Sequence, residues 1–233
     1  MQKQLCMDLA NENKINRSQV YGGLPAEIRT YSERVADYVQ ILYHTALKMG
    51  LYQHDGKLSR ERLPFVWESA RLFDIGYAAI PDFLRGKEQP TAKEKKLLER
   101  HTIDGFTIVF GNLDEEEFFN LPDEEKLKIS MGMDAAIGHH ERWDGKGYPN
   151  HELGAGTPIL GRMCAICNAY DKQTSGRLYP EGMPHEFACG EIIRESGFSF
   201  DPELIRAFRK AMPLFQKSLY YSIKSVFERT ALE

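Results

Sequence analysis

Long apolar runs are missing from this chain. No stretch approaches the roughly 18 uninterrupted apolar residues of a membrane span, which excludes a membrane-spanning helix. The N-terminal MQKQLCMDLANENK lacks the apolar run of a secretory signal, so a cytoplasmic location is expected. A basic excess is missing too: 30 Lys and Arg stand against 34 Asp and Glu, a formal charge of −4. That excludes a nucleic-acid binder of the duplex-coating kind, which needs a cationic face for phosphates. Cysteine is scarce. Cys6, Cys164, Cys167 and Cys189 are too few to staple a fold of 233 residues, as expected in a reducing compartment. Period-two alternation of Val and Ile, internal repeats, a glycine-rich phosphate loop and a nucleophile elbow are all absent from the pattern.

What is present is helical periodicity. With 42% hydrophobic residues the chain can bury one ordinary core. Residues 1–24 are polar and end in Tyr21-Gly22-Gly23-Leu24-Pro25, which reads as a loosely attached arm. From Glu27, the residues Ile28, Val35, Val39, Leu42, Ala46 and Leu47 recur at helical spacing up to Gly50. Residues 63–75 form a second apolar segment that breaks at Gly76. Thr91-Ala92-Lys93-Glu94 is a capping box opening a helix expected to carry His101. The acidic run Asp114–Glu117 suggests a surface turn, and Pro122-Asp123-Glu124-Glu125 the N-terminus of a helix running to His139. Arg142–Pro149 is too rich in Gly and Pro to be anything but loop, and further helices fit residues 159–174, 185–196 and 202–228. The fold class is therefore all-α, with a main domain over residues 25–210 and a C-terminal helix over 211–233. In that last segment Met212, Phe215, Leu219, Tyr220, Ile223, Val226 and Phe227 form a stripe, to be buried against the domain or in a homodimer.

The chemistry concentrates at His139-His140-Glu141, two imidazoles and a carboxylate at a helix end beside a glycine-rich loop. These are ligand types for zinc, iron and manganese. The competing reading is a solvated helix terminus, where histidine interacts well with the dipole. Adjacent residues lie about 100° apart on a helix, so both rings share a metal only if the helix ends there, or else serve neighbouring metals. Cys164-Ala165-Ile166-Cys167 has the spacing of half a zinc site but no second pair, and buried thiols are the better reading. His54-Asp55-Gly56 reads as a loop.

The segment His139-His140-Glu141-Arg142-Trp143-Asp144-Gly145-Lys146-Gly147-Tyr148-Pro149 resembles the signature of the HD-GYP domains. The resemblance extends through Phe73-Asp74-Ile75-Gly76, Ile80-Pro81-Asp82, His101 with Gly105, Asp171–Tyr179 and Phe200-Asp201-Pro202, covering residues 27–209 in the family's order. It implies an HD-domain-like helical bundle with a GYP loop. As a family, such bacterial domains bind two or three metal ions and hydrolyse cyclic di-GMP.

Carried over residue by residue, the resemblance divides. It assigns metal ligation to Asp74, His101, His139, His140 and Glu27. At three further ligand positions this chain has Tyr31, Phe73 and Asn168, all expected around one metal, so that metal should be missing. A phenyl ring ligates nothing, and an amide oxygen is a poorer donor to a hard cation than a carboxylate. One or two divalent ions (Fe, Mn or Zn), or none, are implied. Arg177 matches a phosphate-contacting arginine, while two other expected cations fall on Tyr77 and Pro180. Tyr77, Tyr148 and Tyr179 are aromatic residues available for stacking on a base.

Three functions compete at this stage. The first is a degenerate HD-GYP domain with weak or no hydrolysis, acting as a receptor for a cyclic dinucleotide such as cyclic di-GMP, or as a protein-interaction module through the Gly145–Pro149 loop. The second is an active phosphodiesterase with a reduced metal site, in which Asp74 is the residue that catalysis needs. The third is a structural partner protein that binds neither metal nor nucleotide.

Overall fold

The computed structural model describes residues 16–52, 58–111, 113–177 and 181–230. Cys6, His54-Asp55-Gly56, Tyr179, Pro180 and the side chains of Ile223, Val226 and Phe227 lie outside that description. The described residues are helical and contain no strand, only the isolated bridges Asp144–Leu153 and Ser196–Phe200. None of the described helices is long and apolar enough to cross a membrane.

Residues read as the end of a loose arm belong to the packed domain. Asn16 caps helix α1 (Arg17–Gly22) by accepting from the amides of Ser18 and Gln19. Tyr21 and Leu24 are buried, the Arg71 guanidinium lies over the Tyr21 ring, and Arg17 donates to the Val109 carbonyl. Helix α2 (Ala26–Lys48) follows and ends before Gly50 at φ +72°. Its apolar stripe is fully buried from Val35 to Ala46. A short 3-10 turn, Leu63–Phe65, leads into α3 (Val66–Ala70), and a second one, Ile75–Ala79, follows Asp74.

The capping box at Thr91 and Glu94 opens α4 (Ala92–Glu99), but the chain breaks at Arg100, so His101 instead opens α5 (His101–Phe110). The acidic run is a helix, α6 (Glu115–Asn120), because Asp114 and Glu117 form a second capping box. Then come α7 (Asp123–Gly138), α8 (Ile159–Thr174), α9 (His185–Arg194) and α10 (Pro202–Thr230). Helix α10 runs unbroken across residue 211 and packs on α2. Phe215 is fully buried, stacked on Tyr38 at 5.0 Å and edge-on to Tyr170, so the first turns of the C-terminal stripe complete the core.

Two close approaches bring the site together. A Cβ on Gly76 would stand 1.8 Å from the His101 carbonyl oxygen, so only glycine lets the turn after Asp74 lie against the start of α5. A Cβ on Gly161 would stand 2.6 Å from the Gly138 Cα, so the glycine pair lets α8 cross the end of α7 beside His139.

Candidate metal centre and cleft

Asp74, His101, His139 and His140 converge, each offering a ligand atom within 4.8 Å of the others. His101 Nδ1 is 2.6 Å from the Leu98 carbonyl, and His139 Nδ1 is 3.1 and 3.0 Å from the Ala135 and Ala136 carbonyls. A carbonyl only accepts, so both Nδ1 atoms carry the proton and both Nε2 atoms present lone pairs. Those Nε2 atoms are 3.1 Å apart, and lie 3.3 and 3.1 Å from Asp74 Oδ1. Oδ1 is itself buried without a hydrogen-bond donor. Three lone pairs therefore face one point with no proton between them, an arrangement that a cation satisfies and that no group among the described residues does.

The electrostatics agree. Burial pushes the His139 and His140 imidazoles below their ordinary pKa, keeping them neutral and able to ligate. Tyr148 stacks on His140 at 4.6 Å and 17°.

The other oxygen of Asp74 is differently placed. Tyr31 donates its hydroxyl to Asp74 Oδ2 at 2.8 Å, and burial raises this phenol far above its ordinary pKa, so it stays protonated. Phe73 is fully buried, edge-on to His139 with ring centroids 5.0 Å apart. Asn168 Oδ1 accepts from Arg177 Nη1 at 3.1 Å, and the same nitrogen is 3.1 Å from Asp171 Oδ2. The Arg177 guanidinium carbon lies 3.3 Å from the centroid of the Tyr31 ring. A permanent cation thus touches two of the three substituted positions, and Arg34 holds Asp171 from the other side at 2.8 Å.

Several expected site residues fall elsewhere. Glu27, expected beside His140, is exposed in the first turn of α2, where a carboxylate is favoured by the helix dipole, and it stands outside the four-residue group. Glu141, read with the histidines as a potential ligand, turns away and accepts from the amides of Asn150 and Glu152 at 2.6 and 3.1 Å. It closes the loop rather than holding a metal. Tyr77 lies over the His101 ring at 4.7 Å. Cys164 and Cys167 are fully buried, with burial raising both thiols, in keeping with a packing role.

A cleft of about 350 Å³ opens beside the centre, lined among others by His139, His140, Tyr148, Asn168 and Lys172. Arg177 and Tyr77, expected to meet a ligand, do not line it, whereas Tyr148 does. The loop forming one wall is held by Arg142, which pairs with Asp144 at 3.0 and 2.9 Å, and by the Asp144 amide donating to the Phe198 carbonyl at 2.8 Å. A Cβ on Gly147 would stand 2.4 Å from the Arg142 nitrogen, so the loop closes only with glycine there. Sequence reasoning missed Lys172. The usable signal was Asn168, Asp171 and Lys172 at spacings of three and four, a polar stripe on an otherwise apolar helix.

The model of the HD domain family matches residues 27–204. The chain belongs to the HD domain family. Within it, the intact loop signature and the named relatives make this an HD-GYP domain. A probable cyclic di-GMP phosphodiesterase of Vibrio cholerae is 32% identical over 176 residues, 75% of this chain and 38% of that protein. A cyclic di-GMP phosphodiesterase of Thermotoga maritima is 35% identical, with 61% of this chain and 36% of that protein covered. A 3'3'-cGAMP-specific phosphodiesterase of V. cholerae is 28% identical, with 87% and 33% covered. The HD-GYP domain thus spans about a third of the length of these relatives. The crystal structure of a cyclic GMP-AMP-specific phosphodiesterase of V. cholerae matches with a TM-score of 0.51 at 14% identity, covering 91% of this chain and 53% of that one, a likeness of fold.

Proposed function

We propose that this HD-GYP domain is a degenerate member that binds a cyclic dinucleotide, cyclic di-GMP first among them, and hydrolyses it weakly or not at all. It would serve as a nucleotide receptor, or as a protein-interaction module presenting the Gly145–Pro149 loop. The ligand class is supported by the names of the relatives. The degenerate reading is carried by one observation: Asp74 Oδ2 is occupied by the Tyr31 hydroxyl at 2.8 Å. A carboxylate bridging two ions uses both oxygens, and here only Oδ1 is open.

The residues present fit a divalent ion at Oδ1. Asp74, His101 and His139, with His140 adjacent, would hold one such ion, or two at most, of the iron, manganese or zinc kind. When bound, an ion of this kind polarises a phosphoryl oxygen and lowers the pKa of a coordinated water. Around it, this chain's own groups supply orientation: the Leu98 and Ala136 carbonyls fix the two imidazole tautomers, and the Tyr148 ring stands parallel to His140 at the cleft wall. Arg177 is taken up by Asp171 and Asn168 and Tyr77 carries no charge, so neither of these two residues is free to serve a leaving oxygen.

The convergence of three lone pairs also supports the second reading, an active phosphodiesterase with a reduced site. One experiment separates the two. Protein loaded anaerobically with Fe²⁺ or Mn²⁺ is assayed for metal content, cyclic di-GMP binding and product formation. Binding with little or no turnover is expected. Vigorous hydrolysis that disappears in Asp74→Ala would establish the second reading instead.

A further inference from the structure

The cleft beside the metal centre contains three cationic side chains, and they are not equivalent. Arg142 is paired with Asp144, and Lys146 lies 3.8 Å from the same carboxylate. Lys172 is half-buried and makes no hydrogen bond or ion pair with any described residue. Its neighbour in sequence, Asp171, cannot serve it, because Arg34 and Arg177 already occupy both carboxylate oxygens. Asp74 is committed to Tyr31 and to the two histidines.

A half-buried ammonium without a counterion lowers stability, since desolvation is not repaid by a partner. Burial accordingly lowers the Lys172 pKa. Yet the group stands in the wall of the cleft with His139, His140, Tyr148 and Asn168, four residues after Asn168 on the same face of α8. The rest of the cleft fits a nucleotide, with about 350 Å³ of space and the flat Tyr148–His140 stack beside the cation. Destabilising charges held in a cleft are characteristic of binding sites.

We infer that Lys172 is the residue that takes a phosphate of the ligand in this cleft, in place of Arg177, which faces inward, and of the cation that Tyr77 replaces. The inference rests on the reading of the cleft as a cyclic-dinucleotide site and names the group that recognises the ligand there.

The test uses the full chain, with calorimetric titration of cyclic di-GMP into the unmodified protein, Lys172→Gln and Lys172→Arg. Inorganic phosphate is followed separately by ³¹P line broadening. Loss of one charge-assisted bond to phosphate should weaken cyclic di-GMP binding roughly ten- to a hundredfold in Lys172→Gln, and much less in Lys172→Arg. The thermal midpoint of Lys172→Gln should stay level or rise, because an unpaired charge is removed. Equal affinity of Lys172→Gln and unmodified protein would overturn the inference and leave the receptor reading standing. A fall of several degrees in the midpoint of Lys172→Gln would also overturn it, by assigning the lysine a structural role. Phosphate binding that depends on Lys172, without cyclic di-GMP binding, would support the anion site and refute the receptor reading. Binding of neither probe would refute both.

Discussion

Tyr31 and Asp74 are joined by a buried hydrogen bond of 2.8 Å, from the phenol to Oδ2, while His101 and His139 approach Oδ1. The bond divides the two oxygens of Asp74 between two tasks. Oδ2 is tied to α2, and Oδ1 is left in the company of two imidazole lone pairs. Tyr31→Phe keeps the ring under Arg177 but leaves a buried carboxylate oxygen without a donor. It should cost about 1–3 kcal/mol in chelator-treated protein. The loss should shrink when metal is present, because an ion on Oδ1 then shares the charge. Urea unfolding with and without chelator measures both, and equal losses in the two conditions would contradict the division of roles.

Glu141 is engaged by the loop and stands outside the four-residue group of Asp74, His101, His139 and His140. Its carboxylate accepts two backbone amides, from Asn150 and Glu152, so Glu141→Ala leaves two partly buried donors unpaired and should cost about 2–3 kcal/mol. Glu141→Gln retains an acceptor and should cost less. Neither change should reduce the number of ions bound at Asp74, as elemental analysis would show. Loss of metal in a folded Glu141→Gln protein would place the carboxylate among the ligands after all.

Asp134 on α7, outside the four-residue group, gives a pH test. Burial raises its carboxyl to about 6, with Arg62 only partly opposing the shift. The folded-state pKa therefore lies above the unfolded value of about 4, and the folded protein holds the proton more tightly between the two. Stability from this group is complete below about pH 4 and is lost as pH rises towards 6. Asp134→Asn should accordingly stabilise the protein by about 1–2 kcal/mol at pH 7.5 and by almost nothing at pH 4. A stabilisation that is the same at both values would contradict the raised pKa.

Four helices, α2, α8, α9 and α10, bury stripes that the 3.6-residue repeat displays, whereas α7 is marked by its acidic first turn after Pro122. The capping box at Asp114 and Glu117 was missed, because four consecutive acidic residues suggest a solvated turn. The ligands Asp74, His101, His139 and His140 come from the family resemblance, and their convergence needed the fold, since Gly76 and the Gly138–Gly161 crossing act across long sequence separations. Glu27 and Arg177 could not be placed from sequence. Whether a charged side chain points in or out depends on which partner reaches it first, and Asp171 reaches Arg177.

Family-type ligands can be installed at the three positions where the resemblance expects them. Tyr31→His, Phe73→His and Asn168→Asp together supply two imidazoles and a carboxylate, and Tyr77→Lys adds a cation for phosphate. In the present arrangement Arg177 touches both Tyr31 and Asn168, so its guanidinium is what ligands installed at those two positions would meet. Asn168→Asp alone should therefore bind Arg177 more tightly, giving Arg177 a second carboxylate beside Asp171, and should recruit no metal. Tyr31→His alone removes the ring beneath Arg177 but leaves the amide of Asn168. Only the combined set creates a donor shell strong enough to compete with the guanidinium, because ligands of one ion act as a unit. The expected result is one additional ion and a clear rise in cyclic di-GMP hydrolysis for the quadruple variant with manganese or iron, against no gain for any single change. Metal content and product formation on the same samples decide it. Activity gained by one substitution alone would show that Arg177 is easily displaced, and that the site is closer to a working phosphodiesterase than its three substitutions imply.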